Sequence, residues 1–222
     1  MTTPSDMATG SQRPLRIVNL GLPKSGTTTL ARALKLSGFK VADYRIRTKQ
    51  TDNTAIHRAF VGDLMYRGYY GTGDPLHGLE EFDAFTEISC LRERRNLWPQ
   101  TDFSLIRAIR DHHPGVRFLA SNRDAQALSD SMLRWSDLGT KRLPRTNIPG
   151  LPTGFGASGE QRMRWINGHY QNLRHFFAGA DDFLEYDVAD PAAPSLISAH
   201  LGRDIAWWGK ANANTSQKPE VA

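Results

Sequence analysis

The chain has 222 residues, 39% of them hydrophobic, and a formal net charge of +5; that suits one α/β domain with a real core and favours anionic ligands. Its single cysteine, Cys90, excludes an internal disulfide framework and fits a reducing, cytoplasmic setting. No apolar run approaches the length of a membrane span and no nucleic-acid recognition motif is present, so neither a membrane nor a nucleic acid is expected as partner.

Residues 1–13 read as a polar, flexible leader without a signal-peptide core, and residues 14–222 as a single domain. Leu15–Leu20 forms an apolar run of strand character, followed by a turn containing Gly21, Pro23 and Gly26. A helix is expected over Thr27–Ser37 with Leu30, Ala31, Ala33 and Leu34 inward and Gly38 as its stop. Phe39–Val41 reads as a short second strand. Residues 42–80, rich in Arg, Tyr, Gly and Asp, read as a variable segment on the acceptor side, with a helix over Asn53–Met65. Phe82–Ser89 alternates as a strand, and Thr101–His112 reads as a helix behind a Thr-Asp start.

Val116–Ser121 reads as a buried strand, with Asp124 capping a helix that runs to about Trp135. Residues 136–159 carry Pro144, Pro149, Pro152 and several glycines; a connection of that length belongs to lids and binding loops. A helix over Glu160–Phe177, a strand over Asp182–Tyr186 and a helix to about Leu201 complete the series. Strands alternating with helices imply a central parallel sheet covered by helices on both faces, with ligands beyond the carboxyl ends of the strands.

The turn after the first strand carries the most chemistry. Gly21 and Gly26 have the spacing of a P-loop, but Thr27 stands where a nucleotide-binding loop has its lysine, and the only lysine is Lys24 in the middle. Backbone N–H groups of such a loop, with the helix start behind it, form an anion cradle. Lys24 is placed to cover a terminal transferable group while Thr27, Thr28 and Thr29 grip an inner phosphate. A kinase reading would need Lys after Gly26 and would use Asp124 to hold Mg²⁺; a non-catalytic nucleotide- or nucleic-acid-binding module is the other alternative.

Pro23, Lys24, Ser25, Gly26, Thr27 and Thr28 resemble, position by position, the 5′-phosphosulfate loop of sulfotransferases that use 3′-phosphoadenosine 5′-phosphosulfate (PAPS). Arg123 at a strand end, with Ser131 eight residues on, resembles that family's 3′-phosphate site. The blocks FDAFTEIS, HHPGVRFLASNRD, INGHYQNLRHFF, DFLEYDV and HLGRDIAWWGKANAN are similar to consecutive blocks of its short bacterial-type members. The resemblance is loose over 42–80 and 136–159.

The resemblance implies a three-layer P-loop α/β fold and metal-independent transfer of a sulfuryl group from PAPS to a hydroxyl or amine, with 3′-phosphoadenosine 5′-phosphate (PAP) as product. The acceptor would be a small molecule or a carbohydrate. The tail departs from the family pattern: Gly209-Lys210-Ala211 stands in place of an Arg-Lys-Gly triplet, with Lys210 as a substitute contact.

Sulfuryl transfer needs a base at the acceptor atom and a cation at the leaving phosphate. Lys24 is the cation. Glu87, near the end of the strand FDAFTEI, is the first candidate for the base, or else an ion-pair partner of Arg92 or Arg94. His57, on the expected helix of the variable segment, is the second. His169 either holds the nucleotide or packs, and no Cys/His cluster has metal-ligand spacing.

Overall fold

The computed structural model describes residues 15–92 and 95–211; the expected leader and the end of the tail lie outside the described residues. The strands are β1 (Ile17–Asn19), β2 (Val41–Ala42), β3 (Ala84–Phe85), β4 (Cys90–Arg92), β5 (Arg95–Leu97), β6 (Arg117–Asn122) and β7 (Phe183–Asp187). The helices are α1 (Thr27–Leu36), α2 (Val61–Thr72), α3 (Phe103–His112), α4 (Ala125–Arg134), the single turn α5 (Leu143–Arg145), α6 (Gly159–Phe176) and α7 (Ala193–Leu201).

Five strands form one sheet in the order β2-β3-β1-β6-β7, every pairing parallel, while β4 and β5 make a separate antiparallel hairpin. Strand residues alternate between two cores, as the two-residue period of a pleated strand requires. Ile17, Val41, Ala84 and Leu119 face Leu30, Ala31 and Leu34 of α1 and Ala193, Ile197 and Leu201 of α7. Val18, Ala42, Phe85, Phe118 and Ala120 face the opposite way, against apolar residues of α2, α3, α4 and α6. The result is the three-layer α/β arrangement with helices on both faces.

The chain leaves β1 toward β2 on one side and reaches β6 on the other, so β1 lies at the point where strand order reverses. There the segments after β1, β3 and β6 emerge side by side at the carboxyl edge, the position at which open parallel sheets bind ligands.

Several boundaries differ from the sequence expectation. The helix expected over Asn53–Met65 is a 3₁₀ turn, Thr54–Ile56, followed by α2 from Val61. Asn53 caps the short turn, Arg58 adopts φ 61°, and the backbone of 58–61 pairs with 44–46 instead of coiling. The expected strand Phe82–Ser89 is reduced to Ala84–Phe85, because the Thr86 N–H makes the last bond to β2, on the Ala42 carbonyl at 3.1 Å, and the Thr86 carbonyl goes to the Asn19 side chain instead of to a strand. The hairpin β4–β5 had no apolar alternation to announce it. Residues 136–159 are anchored by buried Leu138, Leu143, Ile148 and Leu151 and contain a π-helical turn, Leu138–Arg142.

α2 reaches the sheet edge through Gly62: a Cβ there would lie 2.5 Å from the carbonyl oxygen of Ile88, just past Glu87. Gly71 of the same helix meets nothing within 4 Å. Gly62→Ala should therefore lower stability by about 1–3 kcal/mol. Gly71→Ala should raise it by roughly 0.5–1 kcal/mol. Urea unfolding midpoints of the two variants check both signs.

Candidate active site

The loop after β1 is held by a buried polar clamp. Asn19, wholly buried at the end of β1, donates through Nδ2 to the carbonyl of Thr86 (2.8 Å) and to Ser121 Oγ (3.2 Å). Its Oδ1 accepts from the backbone N–H of Ser121 at 2.9 Å. One carboxamide thus fastens the ends of β3, β1 and β6 together. Gly21 then passes so close to Ser121 that a Cβ would meet its Oγ at 2.3 Å and its carbonyl oxygen at 2.5 Å. The hydroxyls of Ser25 and Ser121 lie 2.7 Å apart.

From α6, the Tyr170 hydroxyl donates to the Ser121 carbonyl (2.7 Å) and accepts from the Leu22 N–H (3.3 Å). The His169 Nε2–H donates to the Leu20 carbonyl at 2.8 Å. Burial lowers the His169 pKa to about 4, so the ring is neutral and serves as a fixed donor.

Above this clamp the backbone opens. Lys24 adopts φ 74°, a left-handed conformation that costs a non-glycine residue energy and here turns the chain out of the sheet. Gly26 follows at φ 116°, with Val188 where its Cβ would be. Gly26 precedes α1, yet α1 has no side-chain cap and no acid in its first turn. The helices α3, α4 and α6 are capped by Asp102, Asp124 and Ser158. The amides of Thr27, Thr28 and Thr29 have no intrahelical acceptor, so the loop and helix start present free donors and the positive end of the helix dipole to one spot.

Three charged groups converge there. Burial, then the repulsion of Arg123, holds the Lys24 ammonium below its usual pKa, with Glu87 opposing. The ammonium lies 4.8 Å from the ring centre of Trp135, which Arg142 also approaches, at 5.2 Å. Glu87 Oε1 accepts from Ser89 Oγ at 2.5 Å and from the Ser89 N–H at 3.2 Å. Burial raises the Glu87 pKa to about 7, Asp43 just after β2 pushes the same way, and Ser89 and Thr27 oppose. A carboxyl group titrating near neutrality beside a cation is what proton abstraction requires. Ser89, rather than Arg92, is its bonded partner among the described residues.

Arg123 follows β6, its backbone fixed by Asn122 Oδ1 at 2.8 Å. Ser131 is buried on α4, the helix that follows. Neither the Arg123 guanidinium nor the Ser131 hydroxyl has a protein hydrogen bond among the described residues. Thr28 is exposed at the helix start, and Thr29 Oγ1 donates to the Gly209 carbonyl at 3.2 Å. That bond brings exposed Lys210 next to the loop. The tail reaches it by running back along α1, from Ser37 to Thr29, with Trp207 against Arg32.

Two expected site residues are placed elsewhere. Ser25 is wholly buried and its hydroxyl is turned into the clamp, so it braces the loop instead of facing a ligand. His57 lies outside any α-helix. Its Nε2–H donates to the Thr51 carbonyl (2.9 Å), and the Thr51 hydroxyl is bonded to Glu81, which precedes β3. That commits the His57 ring to Thr51, and no hydrogen bond joins it to Lys24 or Glu87 among the described residues. Asp124 is committed to its helix, accepting from the Ala127 N–H at 2.9 Å.

Asn19, Ser121, Tyr170, Asp43 and Ser89 were missed by sequence reasoning. A polar residue closing an apolar strand, as in IVN and FLAS, is the signal that was available for the first two. A cavity of about 530 Å³ between α6 and residues 149–155 is lined by none of Lys24, Glu87 or Arg123. Among the described residues no group of His, Cys, Asp or Glu is arranged to hold a metal ion, and no helix is long and apolar enough to cross a membrane.

A family model described as a sulfotransferase domain matches residues 16–205, from the residue before β1 to just beyond α7. The chain belongs to the sulfotransferase family. No curated protein matches it.

The clamp makes the protein acid-sensitive in a defined window. A His pKa depressed from 6.5 to about 4 means that the unfolded chain binds the proton first as pH falls. The contribution is complete above pH 6.5 and is lost on descending to pH 4, a change of about 3 kcal/mol. His169→Asn, which keeps a donor and does not titrate, should flatten that part of the stability profile, as measured by denaturant melts between pH 4 and 7.

Proposed function

We propose that the protein transfers the sulfuryl group of PAPS to a hydroxyl or amine of a small-molecule or carbohydrate acceptor, without a metal ion. The observation that carries this reading is the left-handed Lys24 between an uncapped helix start and an Arg123 and Ser131 that have no side-chain hydrogen bond among the described residues. Two neighbouring anion sites, the loop with Lys24 and the Arg123/Ser131 pair, fit a nucleotide with a 5′-phosphosulfate and a 3′-phosphate. The loop amides with Thr28 would hold the 5′ end. The Arg123 fork and the Ser131 hydroxyl would hold the 3′-phosphate. Lys210 adds a third cation beside the loop.

In the reaction, Glu87 in its ionised form takes the proton of the acceptor O–H or N–H as the new bond to sulfur forms. The bond between sulfur and the bridging oxygen breaks, and the electron pair stays on the 5′-phosphate of PAP. Lys24 and the α1 amides neutralise that growing charge. Because charge is created on the leaving oxygen only as the bond breaks, the ammonium stabilises the transition state more than the bound substrate. One lysine suffices because a sulfuryl group carries less negative charge than a terminal phosphoryl group.

The donor assignment is tested by binding. PAP should bind at least tenfold more tightly than ADP, and Arg123→Ala should remove that preference while leaving ADP nearly unaffected, since a charge-assisted hydrogen bond contributes roughly 1.5–3 kcal/mol. Equal affinity of the wild type for the two nucleotides overturns it.

The chemistry is tested by rate. Lys24→Ala should lower kcat by about two to three orders of magnitude with a much smaller change in PAP affinity. The rate should rise with pH through an apparent pKa near 7, and Glu87→Gln should abolish that limb together with most of the activity. A residual Glu87→Gln profile identical in shape to the wild type would remove Glu87 as the base.

A further inference from the structure

The acceptor side of Glu87 has its own charge pattern. β2 runs on into Asp43, Tyr44 and Arg45, and the chain returns beside them as Arg58–Phe60, with Arg45 and Phe60 bridged antiparallel and the Val61 N–H bonded to the Tyr44 carbonyl at 3.1 Å. The Phe60 ring lies between two guanidinium groups, 5.4 Å from that of Arg45 and 5.9 Å from that of Arg95 on the hairpin. Tyr44, 39% exposed, is tilted against the same ring with centroids 6.4 Å apart.

Each arginine is held rather than free to swing away. Arg45 Nε donates to the Arg58 carbonyl at 2.7 Å, which leaves its terminal nitrogens outward. Arg58 is fixed at φ 61° by its own N–H on the Ile46 carbonyl, a strained conformation in a non-glycine residue. Arg95 is oriented by Asp63 at 2.8 Å, but Asp63 also serves Arg67 at 2.9 Å. Among the described residues Asp63 answers Arg95 and Arg67 and Asp43 faces Arg47, so two carboxylates stand among five guanidiniums, those of Arg45, Arg47, Arg58, Arg67 and Arg95, and the balance stays positive. Like charges fixed around an exposed aromatic shelf are stabilised by an anion brought in from outside.

The shelf adjoins the reaction centre. Tyr44 directly follows Asp43, whose charge acts on Glu87, and the Cys90 thiol at the root of the hairpin senses both Arg95 and Glu87. We propose that the acceptor is a hydroxylated ring compound bearing a carboxylate or sulfate. Its ring packs on Tyr44 and Phe60, its acidic group is held by Arg45 and Arg95, and its hydroxyl is turned toward Glu87. This rests on the sulfuryl-transfer reading above and narrows it to acidic acceptors.

The test is equilibrium binding to the PAP-saturated protein with matched pairs: 4-hydroxyphenylacetate against 4-methylphenol, and glucuronate against glucose. The acid of at least one pair should bind tenfold or more tightly than its neutral partner, and the pair that responds identifies the ring as aromatic or sugar. Arg45→Ala and Arg95→Ala should each cut that preference several-fold without changing PAP affinity, and Arg45→Lys should retain part of it. Loss of PAP binding in the wild type would overturn the donor reading instead. With PAP bound, equal affinity within both pairs, no binding of either acid, or undiminished preference in the double Arg45→Ala/Arg95→Ala variant overturns the acidic acceptor.

Discussion

The carboxamide of Asn19 is the interaction on which the rest of the site depends. It sits at the reversal point of strand order, with no access to water, and bonds to the strand on each side of β1. A buried amide is stabilising only when its donors and acceptor are satisfied, and here they are satisfied by β3 and β6 together. Ser121 extends the same network to Ser25, and Tyr170 and His169 extend it to α6. The loop is thus gripped from below by neutral groups. Its charged and uncapped groups all point the other way.

That division explains how one short turn can hold a strained lysine. The left-handed backbone at Lys24 is unfavourable by itself and persists because Gly21, Leu22 and Ser25 around it are fixed by the clamp. The gain is preorganisation. Lys24, the α1 amides, Arg123 and Glu87 meet at the carboxyl edge without any of them having to be carried there by ligand binding. The cost is visible in the electrostatics: Lys24 is pushed below its usual pKa by burial and Arg123, and Glu87 is raised to about 7 by burial and Asp43. An anion beside Lys24 would relieve the first, and a neutral group beside Glu87 is compatible with the second.

The same edge has two electrical halves. On the β6 side stand Arg123, buried Ser131 and the tail with Lys210, two cations and a hydroxyl. On the β2–β3 side a carboxylate pair is bordered by the arginine and aromatic shelf around Phe60. Lys24 and Trp135 stand where the halves meet, with Arg142 held by Asp137 at 2.7 Å and by the Leu91 carbonyl at 3.1 Å. The hairpin and the 136–159 segment therefore border Lys24 and Trp135 as packed structure.

Local sequence determined a good deal. The alternation in β1 and β6, the helical stripe of α1 and the Gly21/Gly26 turn each follow from residues a few positions apart, so the three-layer α/β fold and the strand–turn–helix that opens it were legible. A motif names residues without saying which way they face, and it is tertiary contact that sets the Ser25 hydroxyl on Ser121 and the His57 ring on Thr51. The helix expected over Asn53–Met65 failed in its first half, Asn53–Phe60, where pairing with residues 44–46 overrode helical spacing. Tyr170, Asp43 and the shelf around Phe60 were illegible because each acts through partners far along the chain, and Asn19 carried only the signal of a polar residue closing an apolar strand. Sequence specified the chemistry that could be present; the parallel register of β3, β1 and β6 decided which of those groups would meet.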